Sequence, residues 1–451
     1  MKVTYLCSAA VLIEHGGKRI LCDPWLTDGA YYGSWYHFPP IDPSVIESLK
    51  DVDAIYLSHI HPDHFDPATL AHFDKDTPII ICEYAEKYFL NNIKRLGFTD
   101  VLEVPNRRSV EFAPDFEMEI MAGDDNNPVS FATNYQTRAI PGNLTRQIDS
   151  MAIFRAGREV LINSNDVPVG LIRVAFPYII QKYGEITCLL VSYAGAGPYP
   201  QSYDFDKDTM AANAAGAAIQ YLGGTAQYIQ LLRPTYYIPF AGQYVLGGKE
   251  AWKNQFKGTL ELDELAQHLE PIVKNQSAHS KMVVLDHNGS LDLSSGLVNG
   301  AFSGTDFKAR KAYINDALAK IPLTYEKEPE PTDEWIAERI PVAYANMVRK
   351  QKEFHYYNPW TVYLELGGGQ YWRIPFDLSG PKLVGLDEVK GPGMVATMDR
   401  RLLGLMLRRG ANWNNAEVGS HILIHILITP PHPGYEPMVF FLMPYFQGEK
   451  Q

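Results

Sequence analysis

Three histidines and one aspartate fall within six positions, as His59, His61, Asp63 and His64 in the run AIYLSHIHPDHFD. A packed core rarely needs so many polar groups together, whereas imidazole and carboxylate are common donors to Zn, Fe and Mn ions. The run opens as an apolar strand and closes on Asp66-Pro67, a helix entry in which Asp caps free amides and Pro fits the first turn. Its polar residues are therefore predicted at the carboxyl end of a buried strand, where α/β proteins place their sites. His59 and His61 share one side of an extended segment, and Pro62 biases His61 toward extended backbone. The alternative is a helix-capping loop with incidental histidines.

The elements that must position this run follow from periodicity. Short β-rich stretches at 3–6, 10–14, 19–22, 54–58 and 79–82 are separated by turn residues, and a helix is predicted at 85–96, ended by Gly97. Further strands at 151–154, 160–163, 188–192 and 236–240 alternate with an Ala-rich helical stretch at 208–222. The pattern is layered α/β. The run KEPEPTD at 327–333 reads as a linker or connection. Beyond it come a helix at 334–352, a hairpin at 361–366 and 370–375 around Gly367-Gly368-Gly369, and a strand at 420–429. This divides the chain into 1–325, carrying the candidate site, and an accessory α+β domain at 330–451.

The bulk properties exclude several classes. A formal charge of -12 over 451 residues argues against a broad nucleic-acid or anionic-membrane surface. No apolar run approaches the ~20 residues needed to span a bilayer. The start, MKVTYLCSAAVLIEHGG, reads as strands joined through Gly16-Gly17 rather than as a signal peptide, because Glu14 and His15 interrupt it. Cys7, Cys22, Cys82 and Cys188 form no CxxC or Cys-x-His pair, so neither a disulfide framework nor an iron-sulfur centre is signalled, which fits a reducing cytosol.

The His-x-His-x-Asp-His loop resembles that of the metallo-β-lactamase superfamily, over about residues 1–300. The resemblance implies an αββα sandwich, with a smaller C-terminal α+β domain beyond it, and a site for one or two metal ions held by His59, His61, Asp63 and His64. It further implies that Asp23 orients the loop by hydrogen bonding and that Asp166, in LINSNDVP, bridges metals with its two oxygens. Their plain alternatives are turn aspartates beside Pro24 and among Asn163, Asn165 and Pro168. Two positions depart from the family pattern. No histidine lies between His72 and His268, so Asp149 or Asn143 must serve for the middle ligand if anything does, and Ala241 stands where a last histidine is expected, with Gln243 nearby. Such a carboxylate-rich set favours iron over zinc or manganese.

DSMAIF, LINSNDVP, SYAGAGPYPQSY, PTYYIPFAGQY and RRLLGLMLRRGANWNNAEVGSHILI are similar to segments of the CMP-N-acetylneuraminate hydroxylase branch. That resemblance implies a non-haem iron or diiron oxygenase acting on a small polar, sugar- or nucleotide-linked substrate, with Asp63 and Asp166 catalytic and a separate electron donor. The alternatives are a metallo-hydrolase attacking an ester, lactone, amide or phosphoester, and a binding module with a decayed metal site. Tyr193 and Tyr199, in the small-residue loop YAGAGPY, are expected to face substrate together with Gln243. Trp413 to Glu417 offer amides, an indole and a carboxylate for polar recognition or as a polar cap. His421 and His425 read as a core pair on one face of a strand, and Arg408 and Arg409 as a solvated helix end.

Overall fold

The computed structural model describes residues 1–123, 149–274, 279–428 and 437–449. Lys2–Cys7, Ala10–His15 and Lys18–Cys22 form an antiparallel meander at the start. Gly16 and Gly17, at φ 58° and 80°, close its second hairpin. A two-residue hairpin loop matched to strand twist needs positive φ at both positions, and Gly supplies it without a steric cost.

These strands belong to an eight-stranded sheet in the order Val298–Ala301, Leu285–Asp292, Lys2–Cys7, Ala10–His15, Lys18–Cys22, Ala54–Leu57, Ile79–Cys82 and Val101–Val104. A seven-stranded sheet packs on it, in the order Lys281–Met282, Tyr236–Phe240, Cys188–Ser192, Glu159–Asn163, Ser150–Ala156, Phe116–Ala122 and Arg108–Ala113. Alternation along the strands explains the layering. Ala152 and Phe154 belong to the core shared with the first sheet, while Met151 and Ile153 belong to the separate cluster on the outer face. That outer face is covered by Phe176–Tyr183, Lys207–Leu232 and Leu262–Lys274, through Ile179, Leu222, Ile229, Leu265 and Leu269. The first sheet is covered on its other side by shorter helices, including Tyr88–Arg95 through Phe89 and Ile93. The architecture is αββα.

A five-stranded sheet, Lys382–Gly385, Gln370–Pro375, Thr361–Gly367, Gly393–Thr397 and Leu423–Leu427, packs on the helices Asp333–Glu353 and Arg400–Leu407. Its core includes Ile336, Ile340, Met347, Trp360, Ile374 and Leu403, and reaches back to Tyr203, Leu323 and Tyr325. The KEPEPTD run is not loose: Glu328 pairs with Arg408, Glu330 with Arg400, and Thr332 caps the following helix. Arg408 is therefore a paired rather than a solvated end. The Ala-rich helix runs ten residues beyond the expected end at 222, to Leu232, because Leu222, Ala226 and Ile229 continue its buried stripe. His421 lies before the strand that starts at Leu423, so it shares no strand face with His425; it is buried, and His425 is exposed beside Asp204. No helix among the described residues is long and apolar enough to cross a membrane.

Candidate metal centre

Ala54–Leu57 is buried along its whole length and delivers Ser58 and His59 to the edge of the inter-sheet core. The chain then turns, with His64 and Phe65 amides donating to the His61 carbonyl at 3.0 and 2.7 Å. Asp66 caps the next helix by accepting from the Ala68 and Thr69 amides. His59, His61, Asp63 and His64 are thereby gathered against Asp149, which precedes Ser150–Ala156, and Asp166, which follows Glu159–Asn163.

Two groups of donor atoms form, each within 4.8 Å: His59 with His64 and Asp166, and His59 with His61 and Asp149. His64 Nε2 lies 3.3 Å from Asp166 Oδ2 and 3.6 Å from Asp63 Oδ2, yet it makes no hydrogen bond. Asp149 Oδ1, 3.8 Å from His59 Nε2, is likewise buried without a partner. Buried polar atoms are normally hydrogen-bonded, so orphaned imidazole and carboxylate atoms aimed at a common space fit a bound cation. Burial opposes charge on His64, but Asp166, Asp63 and Asp23 outweigh it and hold that imidazole well above its usual range. Burial, reinforced by the nearby Asp166 carboxylate, pushes Asp149 up to about 7. Asp63, Asp149 and Asp166 thus share the positive charge that His64 can carry, a shortfall that a bound cation would relieve.

Behind the cluster, Asp23 is fully buried. It accepts from the Ser58 amide and hydroxyl at 2.7 Å each and lies 3.1 Å from His64 Nδ1. The one hydroxyl proton of Ser58 goes to Asp23, so the 2.9 Å contact between Ser58 Oγ and His59 Nδ1 requires the imidazole to donate. Burial holds His59 and His61 below the usual imidazole range. Neutral His59 therefore turns its Nε2 lone pair into the cluster, 2.9 Å from His61 Nδ1. Tyr84 and Ser150 fix the same strand end by donating to the Ser58 carbonyl at 2.7 and 2.8 Å.

Two contacts were not legible in the motif. Tyr31 donates to Asp63 Oδ1 at 2.5 Å, from a backbone held at φ 50° beside Tyr32 at φ 58°. Left-handed non-glycine residues cost about 1–3 kcal/mol each and persist only where the surroundings impose them. Here the far part of the chain imposes them, since the Tyr31 carbonyl contacts His421 Nε2 at 2.7 Å and the Tyr32 hydroxyl accepts from the Asn412 amide at 2.9 Å. The second contact is Asn414 Oδ1, 2.9 Å from His61 Nε2. The 413–417 run reads as polar in sequence, but nothing local ties it to the histidines.

The three expected substrate residues lie elsewhere. Tyr193 and Gln243 line a cavity of about 420 Å³ together with Lys257, Glu261 and Arg310. An aromatic layer stands between it and the cluster: Tyr244 stacks on Trp35 at 3.4 Å, and Trp35 packs on Tyr31 at 4.6 Å. Gln243 accepts from Tyr5, and so does not replace the missing histidine, while Ala241 packs on the inter-sheet core. Tyr199 is 39% exposed and sits edge-on to Tyr203 and Phe205 rather than against the histidines. The small residue in its loop has another cause: a Cβ on Gly195 would fall 2.0 Å from the Tyr221 ring. Asn143 lies outside the described residues.

Residues 2–126 match the family model described as Beta-lactamase superfamily domain. The N-terminal part carries a beta-lactamase superfamily domain. A putative Rieske 2Fe-2S iron-sulfur protein of Mycobacterium tuberculosis is 28% identical over 245 residues, 54% of this chain and 44% of the relative. Cytidine monophosphate-N-acetylneuraminic acid hydroxylase of Cricetulus griseus is 25% identical over 257 residues, covering 54% of this chain and 40% of the hydroxylase. The chain thus spans less than half the length of these relatives. Among solved structures, CmlA of Streptomyces venezuelae, a diiron beta-hydroxylase, aligns at TM-score 0.40 and 14% identity, over 64% of this chain and 53% of CmlA. Isothiocyanate hydrolase from Delia radicum gut bacteria aligns at TM-score 0.42 and 16% identity, over 66% of this chain and all of the hydrolase.

Proposed function

We propose that this chain is a metal-dependent enzyme, specifically a non-haem iron oxygenase acting on a small polar substrate. The observation that carries the reading is the donor set: three imidazoles, with Asp63, Asp149 and Asp166 around them, in a site where Asp149 stands beside His59 and His61. A set this rich in carboxylate suits harder redox ions better than it suits zinc. The hydroxylase relatives support the same class, and a sugar- or nucleotide-linked substrate is the chemistry they suggest. Iron held by these residues would supply redox chemistry toward dioxygen.

The chain's own residues do the rest. Asp23 and Ser58 set the imidazole tautomers, Tyr31 holds Asp63, and Asp63 and Asp166 are the carboxylates placed to take or return a proton. All four cysteines are buried as free thiols, so we assign electron delivery to a donor other than these residues. A metallo-hydrolase is the second reading, favoured by the two carboxylates flanking His64, which are equally placed to accept a proton from water.

Metal analysis of protein purified without added metal decides between them. Stoichiometric iron, with an absorbance change on reduction and re-exposure to oxygen, supports the oxygenase. Tightly held zinc alone, with no such change, rejects it in favour of the hydrolase. His61→Ala should abolish metal binding under both readings.

A further inference from the structure

The cavity of about 420 Å³ beside Tyr244 has the size of a small-molecule site, for which about 300–1,000 Å³ is usual. Ile41, Leu260 and Phe302 give it apolar walls, but its buried end is rich in donors. Tyr193 is only 3% exposed, and its hydroxyl meets no hydrogen-bond partner among the described residues. Gly242 makes room for that ring, since a Cβ there would fall 2.9 Å from it. Gln243 accepts from Tyr5 at 3.1 Å through its carboxamide oxygen, and its NH2 group has no partner among the described residues. Lys257 lies over the Tyr244 ring at 4.3 Å and donates to the Tyr244 carbonyl, with no carboxylate at ion-pair distance among the described residues. Two of its three ammonium protons are left for a ligand. The acceptors nearby are already engaged. Both oxygens of Glu261 take the Arg310 guanidinium, at 2.6 and 2.7 Å, and Asp286 accepts from the Ser303 amide and hydroxyl. Asp42 and Asp306 cap helices by accepting from the Ser44 and Ala309 amides and stand exposed at the rim, where water weakens their field.

We propose that this cavity is a binding site for a small organic anion, a carboxylate or a phosphate, whose charged end pairs with Lys257 and accepts from Tyr193 and Gln243. An anion completes such a donor set because hydrogen bonds to a charged group are about twice as strong as neutral ones, and buried donors left unmade are costly. The site is separate from the histidine cluster. The Tyr244–Trp35 stack at 3.4 Å and the Trp35–Tyr31 contact at 4.6 Å stand between them. Its occupant is therefore held by organic groups of the chain alone, whichever ion the histidines hold.

Calorimetric titration of the full chain with benzoate, phenyl phosphate and the neutral benzamide tests the assignment, after a chelator has stripped any metal that could itself hold an anion. At least one of the two anions should bind saturably, and benzamide at least tenfold more weakly. Tighter binding of benzoate assigns the site to carboxylates, and tighter binding of phenyl phosphate assigns it to phosphates. Lys257→Met keeps the stem over Tyr244 while removing the charge, and should weaken the bound anion at least tenfold. Tyr193→Phe removes one hydroxyl and should weaken it several-fold. No saturable binding of either anion, benzamide binding as tightly as the anions, or wild-type anion affinity in Lys257→Met would overturn the site. If Lys257→Met does not fold, Tyr193→Phe decides alone: wild-type affinity there rejects the cavity as the place of binding.

Discussion

Tyr31 and Asp63 are joined by a 2.5 Å hydrogen bond between a fully buried phenol and a carboxylate of the histidine loop. The bond makes a residue with no place in the metal motif responsible for aiming one of the motif's own groups. Removing its hydroxyl tests how much that aim matters. Partners that orient metal ligands typically affect metal affinity by 10- to 100-fold. Tyr31→Phe should therefore weaken Fe(II) binding about tenfold, read by chelator competition, while the melting temperature of the metal-free protein moves little.

Asp23 satisfies three donors at once, the Ser58 amide, the Ser58 hydroxyl and His64 Nδ1. Its replacement by Ala leaves them buried and unpaired, and the loss of one partner from a buried charged network costs about 3–5 kcal/mol. Asp23→Ala should lower the urea midpoint accordingly and abolish stoichiometric metal binding. A loss under 1 kcal/mol would mean that water or a rearranged Ser58 replaces the carboxylate.

Gly195 and Tyr221 form a pair in which one side chain occupies the space the other lacks. Forcing a methyl into a packed contact costs about 1–3 kcal/mol. Gly195→Ala should destabilise by that amount, and Tyr221→Ala in the same chain should recover most of it. The melting temperatures of the four proteins of this cycle give the coupling directly. Additive losses would show that the loop has no need of this glycine on Tyr221's account.

Glu417 is buried, which pushes its carboxyl up to about 8 from an ordinary value of 4.5. A group whose folded pKa lies above its unfolded one favours folding fully below the unfolded value, and that contribution is lost as pH rises through the folded value. Stability should therefore fall between about pH 4.5 and 8, by up to a few kcal/mol. Glu417→Gln should flatten this slope, matching wild type near pH 5 and melting higher than wild type at pH 8.5.

Much of the architecture was legible because it rests on short-range rules. A short apolar β-rich run marked the strand around Ala152 and Phe154, paired glycines marked the hairpin at 16–17, and Asp66-Pro67 marked a helix start. The loop of histidines was legible for the same reason, since its donors are neighbours in sequence. Asp149 and Asp166 could be named because each adjoins a strand of the second sheet. Tyr31 and Asn414 could not be named as partners of the loop, because each meets it only after distant elements pack. Tyr193 and Gln243 line a cavity apart from the histidines, and Tyr199 sits against Tyr203 and Phe205, for a related reason. Proximity to a strand end does not tell on which side of the Trp35–Tyr244 stack a side chain emerges.

The left-handed Tyr31–Tyr32 pair has a consequence for how such a chain can be inherited. Its conformation is secured by Asn412 and His421, so the first core does not own all of the parts that shape its own centre. Recombination that exchanged the region after about residue 330 for an unrelated partner would transplant the histidines but release the tyrosines. Sequence on the two sides of that seam must then change together, and a hybrid assembled across it would inherit a fold without inheriting a working site.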